Sequence, residues 1–279
     1  MLRKPTKRVT TKVLFSLVSI LIAGMIIFPV YWMFVTSVLP PKEIFARPPR
    51  VIPTSFDWSA YSQALHRGDI TRWVWHSFTV AAGVVLFNLF LAVPAAYSMA
   101  RFKIKVNSAL TFLVLSTQLV PAALLVVPLF EIFRVAHLIN NYISLVLADS
   151  VITLPMSTWI LMGFFEGVPR DIEEAALVDG CNRYSVFFKV ALPLVRPALV
   201  TVAILTFYDA WNEYLFAVTF ITKQELWLGT VGLGSFMGQF YVDWRAMMAH
   251  SLLFAILPIG IYLIFRRFIV RGIAEGFAK

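Results

Sequence analysis

The chain has 279 residues, of which 59% are apolar and only 14% charged, with a formal charge of +9. Soluble domains carry about 45–50% apolar and about 25% charged residues, so a mean hydropathy of +0.79 leaves too little polar surface to clothe a water-soluble globule. A single cysteine, Cys181, excludes an intrachain disulfide, and 13 glycines against 25 phenylalanines exclude collagen-like and disordered chains. What remains is an integral membrane protein.

Six apolar stretches reach the ~20 residues that a helix needs to cross a hydrocarbon core. They lie near 13–36, 76–98, 108–130, 143–165, 196–219 and 247–267. The expected fold class is therefore an all-α membrane protein of six transmembrane helices, forming one transmembrane domain over 1–279. The first stretch follows Arg3, Lys4, Lys7, Arg8 and Lys12. Its apolar run is too long for a signal-peptide core and no A-x-A site follows, so it reads as a retained span. Residues 37–75 carry Pro40, Pro41, Pro48, Pro49 and Pro53, which predict an irregular loop with a short helix near Trp58–Leu65. Residues 220–246 read as another loop, weakened for helix by Gly229, Gly232, Gly234 and Gly238.

Six spans put both termini on one side. That side then holds 16 of the 24 basic residues, while 5 of the other 8 sit in the single long segment 37–75. The bias places both termini in the cytoplasm. Spread over a membrane face, with no soluble domain to concentrate it, this charge gives no nucleic-acid patch.

The most punctuated stretch is the cytoplasmic loop 166–195. Asp171 is placed to cap a helix, with Glu174 in the reciprocal capping-box position. Asp171, Glu173 and Glu174 lie in the first turn, where the helix dipole favours negative charge. Gly180 offers the left-handed stop that other residues resist, and a second short amphipathic helix follows at about Arg183–Leu192 before Pro193. On these features alone the loop reads first as a capped connector that joins two spans, with a docking element as the alternative.

Glu174-Ala175-Ala176, then Gly180 after three residues, Val190 after nine more, and Leu192-Pro193 after one, resembles the EAA motif of binding-protein-dependent, type I ABC importer permeases. Only Val190 departs, standing where the motif has Ile. Ala210-Trp211-Asn212-Glu213-Tyr214-Leu215-Phe216 and Arg267-Phe268-Ile269-Val270-Arg271-Gly272 are similar to the carbohydrate-uptake branch, typified by the maltose permease subunit. The resemblance implies a multi-pass protein of the plasma (inner) membrane that forms half of a translocation path. It implies four kinds of partner: a second related permease subunit, an ATPase dimer, an external solute-binding protein and a carbohydrate solute. It implies that Glu174, Ala175, Ala176, Asp179, Gly180, Leu192 and Pro193 couple to the ATPase. ATP and Mg would belong to the partner ATPase subunits, and this chain would bind no cofactor.

Asp149, Asp209 and Glu213 fall inside expected spans, where no Lys or Arg can pair with them. Such groups cost about 2–4 kcal/mol each on insertion scales and are usually functional. Thr206, Asp209 and Glu213 share one helical face, with Asn212 at its border. Two readings stand. These residues line a translocation path for sugar hydroxyls, or they satisfy backbone and interhelical donors while Glu213 reaches outer water. Pro121 and Pro128 predict a bend in span three.

No G-x-x-x-x-G-K-[ST] motif occurs, and His66, His76, His137 and His250 are too scattered for a triad or a metal site. No catalytic residue is expected, so the chain is not read as an enzyme. The alternative function is a secondary transporter coupled to protons or cations through Asp149, Asp209 and Glu213. At the C-terminus, Arg266, Arg267 and Arg271 suit anionic membrane lipid. The resemblance implies that the tail beyond them reaches the ATPase; otherwise it is a frayed end.

Overall fold

The computed structural model describes residues 6–66, 69–102, 112, 114, 116–238 and 241–276, with the backbone alone for 6–13 and 267–276. The helices in chain order are α1 (Thr6–Val38), α2 (Ser59–His66), α3 (Asp69–Arg101), α4 (Ala122–Val135) and α5 (Tyr142–Gly167). They continue as α6 (Arg170–Val178), α7 (Arg183–Leu194), α8 (Arg196–Asn212), α9 (Leu215–Phe220), α10 (Gly229–Gly234) and α11 (Trp244–Gly276). Among the described residues the strand-like pairing is limited to an isolated bridge between Met237 and Val242.

Four of these, α1, α3, α5 and α11, are each long and apolar enough to cross a membrane. At 1.5 Å per residue, α5 alone reaches about 39 Å, more than a hydrocarbon core of about 30 Å requires. A fifth candidate is the pair α7–α8, bent by 72°. Pro193 and Pro197 flank that bend, each lacking an amide proton, and Val195 between them leaves helical geometry at φ −93° and ψ 11°.

Four of the six expected spans thus correspond to single helices that run past their expected ends, and two differ. For the third, 108–130, residues 108–111, 113 and 115 lie outside the described residues. From Ser116 onward the chain is a 3-10 turn at Thr117–Leu119, then extended Val120, then α4 beginning after Pro121. The residue before a proline is driven out of helical geometry, so Pro121 breaks the stretch rather than bending it. The expected fifth span, 196–219, is two elements. α8 stops at Asn212, and Glu213 turns extended at φ −63° and ψ 130° before α9.

The described residues fall into two compact units, Met1–Ile70 with Ser235–Phe254, and Thr71–Gly234 with Ala255–Lys279. In the first, α1 exposes every residue from Leu14 to Tyr31, an apolar surface suited to lipid. Asp57 accepts the Ser59 amide at 2.9 Å and pairs with Arg245 at 2.7 Å, which ties the start of α2 to the start of α11. In the second unit, Ala92, Ala96 and Ala100 make a ridge of small residues along α3. Leu161 and Phe165 of α5, Ala191 of α7 and Ala198 and Val202 of α8 close over it. Small residues let helix backbones approach closely where lipid offers no competing hydrophobic force. Gly83 shows the same logic: a Cβ there would stand 2.9 Å from Val146 Cγ2. Of the C-terminal tail, Gly272–Gly276 continues α11, and 277–279 lie outside the described residues.

Candidate functional site

The loop between α5 and α8 is built by its own punctuation. α5 ends at Gly167 with Val168 as its extended cap, and α6 starts directly after Pro169, which occupies the cap position without a side-chain bond. The expected cap at Asp171 is therefore displaced, because Pro169 presets the helical entry two residues earlier. Asp171 and Glu173 lie within the first turn. At the other end Gly180 has φ +89°, the Gly180 amide donates to the Leu177 carbonyl at 3.1 Å, and the Cys181 amide donates to the Ala176 carbonyl at 3.0 Å. This is a Schellman stop, which requires a left-handed residue at that position. Asn182 then caps α7, its side chain accepting the Ser185 amide at 2.8 Å.

The helix so defined presents an open surface. Glu174, Ala175, Asp179 and Gly180 are exposed and Ala176 half-buried, while Val178 is 87% exposed and Leu177 lies beside it. Leu192 and Pro193 are half-buried at the end of α7. Carboxylates beside bare apolar surface on a nine-residue helix form a surface chemically suited to another protein.

Glu173 behaves differently from its neighbours. It is buried, and its carboxylate accepts Arg101 Nε at 2.7 Å and the Tyr97 hydroxyl at 2.9 Å. Sequence reasoning counted Arg101 only as a charge beside the membrane and passed over Tyr97. The available signal was the Glu173-Glu174 doublet, since adjacent helical residues point about 100° apart and cannot both face one partner.

The expected intramembrane set is split by the fold. Asp149 on α5 is buried, and among the described residues neither carboxylate oxygen has a hydrogen-bond partner. Thr206 on α8 is also buried, with its hydroxyl 3.3 Å from that of Ser157 on α5. Asp209 and Asn212 are exposed, and Asn212 donates to the Tyr208 carbonyl at 2.8 Å. Glu213 lies past the end of α8, where its two oxygens accept the Phe216 and Ala217 amides at 2.6 and 2.9 Å and so cap α9. Asn88 is a polar residue in a span that also went unnoticed in the sequence. Asn88 of α3 is fully buried and donates to the Thr153 hydroxyl at 2.6 Å, which in turn donates to the Asp149 carbonyl at 2.9 Å. A lone Asn within the apolar run 76–98 was the signal.

The family described as binding-protein-dependent transport system inner membrane component matches residues 89–275, from the middle of α3 into the last turn of α11. The chain belongs to that family. The match takes in α5, α6 and the whole loop 166–195. The sulfoquinovosyl glycerol transport system permease protein SmoH of Agrobacterium fabrum is 34% identical over 254 residues, 91% of this chain and 89% of its own. The trehalose/maltose transport system permease protein MalG of Thermococcus litoralis is 29% identical over 276 residues, 98% of this chain and 99% of its own. A crystal structure of a bacterial ABC transporter involved in the import of the acidic polysaccharide alginate superposes with a TM-score of 0.78. There the identity is 22%, covering 96% of this chain and 98% of that one, a likeness of fold. Membership in this permease family favours an ABC importer subunit over a secondary transporter.

Proposed function

We propose that this chain is one permease subunit of an ATP-driven importer for a sugar or oligosaccharide. The observation that carries the reading is the exposed α6, closed by its glycine stop and lying inside the matched family region. Relatives named for sulfoquinovosyl glycerol and for trehalose and maltose support the solute class. In this reading α6 is the coupling helix. Glu174, Ala175, Ala176, Asp179 and Gly180 seat in a cleft of the ATPase dimer, with Leu192 and Pro193 fixing the return to the membrane. ATP and Mg are bound by that dimer. A second, related permease chain supplies the other half of the path, and an external solute-binding protein delivers the solute. The topology that fits is six spans with both termini cytoplasmic, so that α6 meets the ATPase.

Asp209 and Asn212 are the path residues that water and sugar hydroxyls reach directly. Asp149, Thr206 and Glu213 support them from within the packed helices. Reconstituted in liposomes with the second permease chain, the ATPase and the solute-binding protein, the subunit is expected to import solute on ATP addition, at a rate unchanged by a protonophore. Uptake that follows the proton gradient and ignores ATP would sink the proposal.

A further inference from the structure

The nine residues of α6 have two sides with different work. The side carrying Glu174 and Val178 is open, whereas Glu173 turns inward onto the last turn of α3. The Arg101 and Glu173 side chains are 8% and 10% exposed and meet at 2.7 Å. Arg101 Nη2 also donates to the Val168 carbonyl at 3.0 Å, and Arg170 Nη2 of α6 donates back to the Ala100 carbonyl at 3.3 Å. With the Tyr97 hydroxyl on Glu173, four side-chain bonds cross between the end of α3 and the segment 168–173. The Tyr97 ring packs against Phe165 of α5 at 5.3 Å and Phe187 of α7 at 4.8 Å between centroids.

We infer that Glu173, Arg101 and Tyr97 form a latch through which movement of the coupling helix passes directly into the span α3. The proposal rests on the coupling role of α6 and says which span that helix drives. A surface ion pair would slip under load, because water and salt compensate its loss. This one cannot, because separating its members strands a charge away from water. Charged, multiply bonded contacts are also geometrically selective, so α6 and the last turn of α3 shift together. Glu173 and its partners touch neither solute nor nucleotide. They are positioning residues.

The assembled transporter provides the test, with solute import and ATP hydrolysis measured on the same vesicles. Glu173→Gln keeps shape and some hydrogen bonding, and Tyr97→Phe removes one hydroxyl. The import-to-hydrolysis ratio is expected to fall, by roughly fivefold or more in Glu173→Gln, since coupling energies between sites usually amount to factors of this size. In a Cys181→Ser background, Arg101→Cys with Glu173→Cys should show the same low ratio. An ethylene-bridged bis-methanethiosulfonate cross-linker should restore the ratio, and reductant should abolish it again. A merely structural pair would change the amount of assembled complex but not the ratio per complex; that outcome overturns the latch. An unchanged ratio in all three variants while Gly180→Val uncouples import overturns the latch and leaves the coupling role of α6 standing. If Gly180→Val also imports with an unchanged ratio, the coupling reading fails and the latch with it.

Discussion

Gly232 shows how little room some single positions leave for a side chain. Placed in α10, it faces Trp73 of α3 so closely that a Cβ would lie 2.4 Å from two ring carbons and 2.5 Å from a third. Trp73 is itself buried, so moving the ring aside means repacking its neighbours. Gly232→Ala is therefore expected to destabilise the protein by about 1–3 kcal/mol, the usual range for overpacking. The loss should appear in thermal unfolding of the purified protein, together with a shift in tryptophan fluorescence. Unchanged values for both would show that α10 moves away at no cost. Gly180 is constrained for a different reason. Among the described residues no neighbour crowds its missing Cβ, and the left-handed backbone at φ +89° selects glycine there.

Two short elements depend on acidic side chains used as caps. Residues Leu215–Phe220 form a helix too short to persist alone, and Glu213 supplies the acceptors for two of its free amides. Glu213→Ala should cost about 1–2 kcal/mol in thermal unfolding, whereas Glu213→Gln, which keeps one acceptor, should cost less. Equal stability of both variants with the parent protein would show that the cap contributes nothing. The second case is Asp57, held below the usual carboxylate value of 3.8 by the Ser59 amide first, then by the Ser59 hydroxyl and Arg245. A carboxyl lowered in the fold contributes in full above its unfolded value, and that contribution is lost as pH falls through the folded one. Between about pH 5 and about pH 3 the parent protein should lose stability faster than Asp57→Asn. Parallel pH profiles of the two would show that this contact carries no linkage.

For the whole molecule, the question is what joins an ATP-hydrolysing partner to a path within the membrane. In the proposed reading the open face of α6 receives the ATPase, and the ridge Ala92, Ala96 and Ala100 keeps the ends of α3, α5, α7 and α8 in one packed cluster. A second connection is proposed for the C-terminus, where α11 continues to Gly276. Deleting Ala274–Lys279 leaves α1 through α10 and Arg266, Arg267 and Arg271 in place. Membrane insertion should survive the deletion, while import or retention of the ATPase on copurification should fall. Full import with full copurification would show that the tail is a free end.

By itself the sequence determined the class of molecule. Apolar runs of spanning length are local properties, and α1, α3, α5 and α11 follow from them with only their ends displaced. In the loop between α5 and α8 the glycine stop at Gly180 was legible, because it is written in consecutive residues, whereas the cap expected at Asp171 was displaced by Pro169. Proline geometry was legible only in part. Pro121 predicted a bend but produced a full break, since the extended residue before it also ends the preceding turn. What the tertiary structure alone decided is which polar groups meet. Asp149, Thr206, Asp209 and Glu213 look alike in an apolar sequence, yet one is buried with no hydrogen-bond partner among the described residues, one faces Ser157, one is open and one caps a helix. Glu173 and Arg101 stand 72 residues apart. Helical periodicity orders contacts within one element and carries no information about pairs between elements, so only packing could bring that ion pair together.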